Sequence, residues 1–139
     1  VSIESGEIGS LGVQCMAVSY AKMLEEKGLD ARLVRAAISP DKNIAHPYEP
    51  LSDEAMEYLQ DRVDKAGERF VATVAAGRNV STADVLAKFG QGKMLDAETA
   101  LDVGLIDQIG TLAGVLAESR TGSVAAKTNR RRAEYRRSR

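Results

Sequence analysis

The sequence predicts an α/β fold. Three observations carry that expectation: a strand–helix–strand order over residues 8–37, a long amphipathic helix pattern beginning near residue 53, and an apolar content of 44% beside 28% charged residues. That balance supports a packed core rather than disorder. At 139 residues the chain has the length of one ordinary domain.

Taken in order, residues 8–15, IGSLGVQC, read as a turn and then a short buried strand, with Gly9 and Gly12 allowing a sharp turn or close approach. Residues 17–27 place Val18, Ala21 and Leu24 on one face at helical spacing, and Gly28 stops that helix. Residues 31–37, ARLVRAA, form the second strand. A strand, a helix and a strand in about thirty residues imply a βαβ unit, a parallel sheet and a right-handed crossover.

The next segment, SPDKNIAHPYEPLSDEA (residues 39–55), contains all three prolines, the single His and Lys42. Pro40, Pro47 and Pro50 forbid a helix through it. Ser52 is an N-cap for a helix over about 53–76, with Asp53 and Glu54 facing the positive end of its dipole. Met56, Leu59, Val63, Ala66, Phe70 and Val74 make its apolar stripe, and Gly77 and Asn79 end it. Ser81 begins another helix, with Asp84 at N3 and Val80 and Val85 at the staple positions; Gly90 closes it. Asp96 caps a third short helix that Gly104 ends. Leu105 and Ile106 make a brief strand, and Thr111 opens a last helix through about Ser119.

The near-neutral total charge hides an asymmetry. Residues 120–139 hold eight Lys/Arg and one Glu, whereas residues 1–119 hold eleven Lys/Arg and nineteen Asp/Glu. An acidic domain over 1–119 is therefore expected to carry a basic, disordered tail. No run reaches the roughly 18 apolar residues of a membrane span. The sequence opens without Met, directly in a β-like stretch, which suggests a fragment or a processed product.

One Cys and one His leave no zinc set, and no cofactor motif is present. The glycines of GEIGSLGV lack both the GxGxxG and the GK[ST] pattern of phosphate loops. Cys15, in GVQCMAV, reads as a buried structural thiol. His46 has no Ser or Asp partner at a recognisable spacing and reads as structural. From its neighbours alone Lys42 is a solvated loop charge, and Ser10 a turn residue or cap.

The order of motifs changes that reading. EIGSLGV, VSYAKMLEEKGLDARLVRAA, DKNIAHPYEPLSDEA, FVATVAAGRNV and GQGKMLDAETALDVGLIDQIGTL follow one another as in the C-terminal half of the signal peptide peptidase A family. The sequence resembles above all its phage-encoded prohead and capsid-maturation proteases, over roughly residues 4–117. The resemblance implies a Clp protease/crotonase-like fold and a serine endopeptidase with a Ser–Lys dyad. Carried over by position, Lys42 in KNIAHP is the general base, and Ser10 in GSLGV orients the lysine. A neutral lysine can take a serine's proton as histidine does in a triad.

The family's nucleophile lies in a small-residue segment before GS[IL]GV. Ser2 and Ser5 do not stand in that context, so the nucleophile and oxyanion hole are expected outside this chain. Ser39 stands where the family commonly has glycine. The resemblance further implies peptide or protein substrates, capsid or scaffold partners, homo-oligomers and a cytoplasmic or prohead location. The competing expectation is a non-catalytic assembly domain whose basic tail binds nucleic acid or another polyanion.

Overall fold

The computed structural model describes residues 1–120. They fall into two compact units, one built from Val1–Gly12 and the described residues from Glu68 onward, the other from Val13–Gly67.

In the first unit, β1 (Glu7–Gly9) pairs antiparallel with β2 (Met94–Asp96), Ile8 opposite Leu95 and Gly9 opposite Met94. Ser2 adds a single parallel bridge to Ile109. The core gathers Ala75, Val85, Phe89, Ala100, Leu105 and Ile106, with Ile8, Val71, Val74 and Leu95 packed against it. Phe89 is its largest fully buried side chain.

The helices start and stop where their end residues satisfy the orphan backbone groups. The long helix runs Asp53–Arg78, and the Ser52 hydroxyl accepts the Ala55 N–H at 3.1 Å. A helix over Thr82–Lys88 is capped by Ser81, whose hydroxyl accepts the Asp84 N–H at 3.0 Å and donates to the Asp84 carboxylate at 2.6 Å. Lys88 holds the other carboxylate oxygen at 2.6 Å. These bonds, Lys88 first and Ser81 second, hold the Asp84 carboxyl down at about 2. The next helix, Ala97–Asp102, is capped by Asp96, which accepts the Thr99 N–H at 2.8 Å. The last described helix, Leu112–Arg120, is capped by the Thr111 hydroxyl. We number these four helices α2 to α5, after α1 (Ala21–Glu26) of the second unit.

Three helices end in one way. Gly28, Asn79 and Gly104 adopt positive φ, and the residue after each sends its N–H five positions back: Leu29 to Leu24, Val80 to Ala75, Leu105 to Ala100. Arg78 then ties the end of α2 to the turn after α4. It donates to the Gly104 carbonyl at 3.0 Å and meets Asp107 with two bonds of 2.9 and 3.1 Å.

The structure corrects four expectations. Residues 31–37 form no strand and residues 10–20 no ladder, so the parallel βαβ unit does not form among the described residues. A strand exists only through pairing, and here the stretch turns at Ala36–Ser39 with Val34 97% exposed. Leu105 and Ile106 are buried as expected, but both N–H groups bond the Ala100 carbonyl, which removes them from any ladder. Helix α1 is shorter than 17–27, starting only at Ala21. Cys15 is exposed rather than buried, because its segment forms no regular element and its neighbour Met16 is 88% exposed. The mix of helices with few short strands is consistent with the α/β class. The basic segment expected over 120–139 lies outside the described residues beyond Arg120.

Candidate active site

Lys42 stands on a loop built from successive turns. The Ser39 N–H bonds the Ala36 carbonyl at 2.9 Å, and the Lys42 N–H bonds the Ser39 carbonyl at 3.2 Å. Asn43 follows in the left-handed region, φ +57°, which Asn tolerates better than most residues. A third turn closes with the Glu49 N–H on the His46 carbonyl at 3.0 Å. The His46 Nδ1 accepts the Tyr48 N–H at 3.1 Å, and the imidazole packs edge-on against the Tyr48 ring at 5.3 Å. With Nδ1 engaged as an acceptor, the neutral ring carries its proton on Nε2.

The far end of the loop is docked on the start of α1. The Tyr20 N–H bonds the Pro47 carbonyl at 2.6 Å, and the Ser19 hydroxyl bonds the Glu49 carbonyl at 2.7 Å. Arg35 fastens the near end. Its Nε donates to the Lys42 carbonyl at 2.7 Å, and Nη2 donates to the Asn43 carbonyl at 3.1 Å. The same guanidinium meets Glu49 with bonds of 2.8 and 2.5 Å, both side chains being about a quarter exposed. The hydrogen bond to Arg35 holds the Glu49 carboxyl below its ordinary value, and the same bond pushes Arg35 up.

The Lys42 side chain is exposed and lines an open cleft of about 320 Å³ with Leu33, Arg35, Ser39, Asn43 and His46. Ser10 belongs to the other unit. It follows β1 with φ +54°, its N–H on the Lys93 carbonyl at 3.0 Å and its side chain exposed. Each candidate residue is thus set by its own local frame, Ser10 by the β1–β2 pair and Lys42 by the turn series. Among the described residues no group of three or more His, Cys, Asp or Glu side chains could hold a metal ion, and no helix is long and apolar enough to cross a membrane.

The sequence reading missed Arg35 and Glu49. An arginine inside the apolar run LVRAA was the available signal, but its partner fourteen residues on could not be chosen from spacing.

The profile of Peptidase family S49 matches residues 1–126, a span that contains both Ser10 and Lys42. The chain belongs to peptidase family S49. Its relatives in the family come from archaea, bacteria and phage. A candidate protease of Methanocaldococcus jannaschii is 33% identical over 104 residues, covering 75% of this chain and 32% of the relative. A candidate signal peptide peptidase of Enterococcus faecium is 34% identical over 108 residues, covering 77% of this chain and 30% of the relative. The capsid assembly protease C of Escherichia phage lambda is 28% identical over 106 residues, covering 76% of this chain and 23% of the relative. The resemblance to signal peptide peptidases and phage capsid proteases drawn from the sequence motifs is borne out. The chain spans between about a quarter and a third of the length of these relatives.

Proposed function

We propose that residues 1–119 are the base-bearing, C-terminal part of a Clp protease/crotonase-like serine endopeptidase domain with a Ser–Lys dyad. Lys42 is the general base and Ser10 orients it. The nucleophilic serine and the oxyanion donors come from sequence outside residues 1–139, on the same polypeptide or on a neighbouring copy in an oligomer. The observation that carries the reading is Lys42 itself: an otherwise unremarkable lysine on a loop fixed at both ends, lining an open cleft, inside a span matched by a peptidase family.

The chemistry follows from the residue types. With its amine neutral, Lys42 accepts the proton of a serine hydroxyl as the serine oxygen bonds the substrate carbonyl carbon. It returns that proton to the leaving amine when the peptide C–N bond breaks. A lysine does this only when water is kept from its amine, so closure of the cleft by the rest of the domain and by substrate is part of the mechanism. Ser10 supplies a hydroxyl that directs the amine without adding charge. Extended peptides of capsid or scaffold proteins are the substrates this reading favours, because a capsid protease is among the relatives.

The test is peptidase activity of the protein expressed from its native gene. Lys42→Ala is expected to lower kcat by about 10³-fold, within the range of general-base removal, and Ser10→Ala by about 10-fold. Full activity in Lys42→Ala would overturn the assignment. Mixing the 139-residue chain with the Enterococcus relative, its own lysine base replaced, tests completion between copies; recovered hydrolysis supports it and none removes it.

A further inference from the structure

We infer that Arg35 is a positioning residue for this peptidase: it clamps the loop so that Lys42 presents its amine from a fixed backbone. The inference rests on Lys42 being the base.

Four hydrogen bonds from one guanidinium carry it. Two go to the loop backbone at Lys42 and Asn43, and two go to the Glu49 carboxylate. Three points of the loop, the carbonyls of residues 42 and 43 and the side chain of residue 49, are therefore held on one rigid planar group. The carbonyl of Lys42 itself is the closest backbone acceptor, at 2.7 Å. Asn43, beside it, takes the left-handed turn, φ +57°, that sets its carbonyl next to that of Lys42 on the guanidinium.

Glu49 is in turn anchored through its own carbonyl by Ser19, and Pro47 by Tyr20, so the clamp is tied to the start of α1 and not only to the loop. The Glu49 carboxylate also neutralises the guanidinium, so the clamp brings no net charge to the cleft it shares with Lys42. No other arginine among the described residues makes this contact pattern, and a lysine could not. An ammonium is a point donor that cannot span two carbonyls and a carboxylate in one plane.

A base held on a loose loop spends most of its time out of reach of the serine proton, and a misplacement of about 1 Å can cost about 10²-fold in rate. Arg35→Ala in the protein expressed from its native gene is therefore expected to lower kcat by about 10²-fold with KM unchanged, and to move the pH–rate profile. Added guanidinium ion should restore part of the rate. Arg35→Lys should stay impaired, and Glu49→Gln, which keeps the side-chain volume, should lose about 10-fold. Amide exchange of Lys42 and Glu49 should quicken in each variant, a readout that needs no turnover.

If Arg35→Ala does not fold, Glu49→Gln carries the same test. Unchanged kcat, pH profile and loop exchange in folded variants, with Lys42→Ala inactive, overturns the clamp and leaves the base assignment standing. An active Lys42→Ala overturns the base assignment, and the inference falls with it.

Discussion

Replacing Gly9 by alanine tests the frame that holds Ser10. Gly9 has φ +151°, a backbone that L side chains rarely adopt, and a Cβ added there would lie 2.3 Å from the Lys93 carbonyl oxygen and 3.0 Å from the Met94 Cα. The obstructing atoms are backbone, so no side chain can swing away. Restoring ordinary contact requires a shift of about 1 Å. That oxygen is the one that accepts the Ser10 N–H at 3.0 Å, and such a shift stretches the bond beyond hydrogen-bond range.

Backbone strain of about 1–3 kcal/mol and a lost hydrogen bond of about 1 kcal/mol together give a destabilisation of about 2–4 kcal/mol. Gly28 is the control. Its φ is +68°, but nothing lies within 4 Å of the added Cβ, so alanine there costs only the left-handed strain, about 1–2 kcal/mol. Urea unfolding of both variants and amide exchange at Ser10 measure the difference. The reasoning is refuted if Gly9→Ala is no more destabilising than Gly28→Ala and Ser10 exchange is unchanged.

Two further outcomes are expected. Phe89 is 1% exposed in the core of its unit, so Phe89→Ala should lower unfolding stability by about 3–5 kcal/mol, read from the urea midpoint at constant slope. Asp84 titrates at about 2 when folded against an ordinary 3.8. A depressed carboxyl stabilises the fold at pH above its unfolded value and loses that contribution as pH falls through its folded one. The Asp84 share of stability should accordingly be complete above pH 3.8 and disappear toward pH 2. Carboxyl NMR titration should show its value rising in Lys88→Ala and Ser81→Ala, and an unmoved value in both would contradict the assigned causes.

What the sequence made legible was local. Ser52, Ser81, Asp96 and Thr111 start helices and Gly28, Asn79 and Gly104 end them, because each acts on backbone groups within one turn of itself. Pairing was not legible. β2 is three residues between a tight turn and a helix cap, and it is a strand only because β1 lies beside it. Residues 31–37 have the composition of a strand but no ladder partner among the described residues, so they form no strand and are mostly exposed. Cys15 looked apolar by its neighbours, yet burial is set by what packs over a segment, and nothing regular forms around it.

The candidate site divides along the same line. Lys42 and Ser10 are candidates because of the order of motifs around them; local physics alone makes them a surface charge and a turn residue. The Arg35–Glu49 clamp joins residues whose meeting depends on the course of the intervening loop, so no spacing rule points to it.

The most direct measurement of the central claim is the peptidase rate of the native gene product with and without the Lys42 amine. The account predicts that Lys42→Ala folds like the wild type and hydrolyses peptide about 10³-fold more slowly. A folded Lys42→Ala protein with wild-type kcat would contradict it.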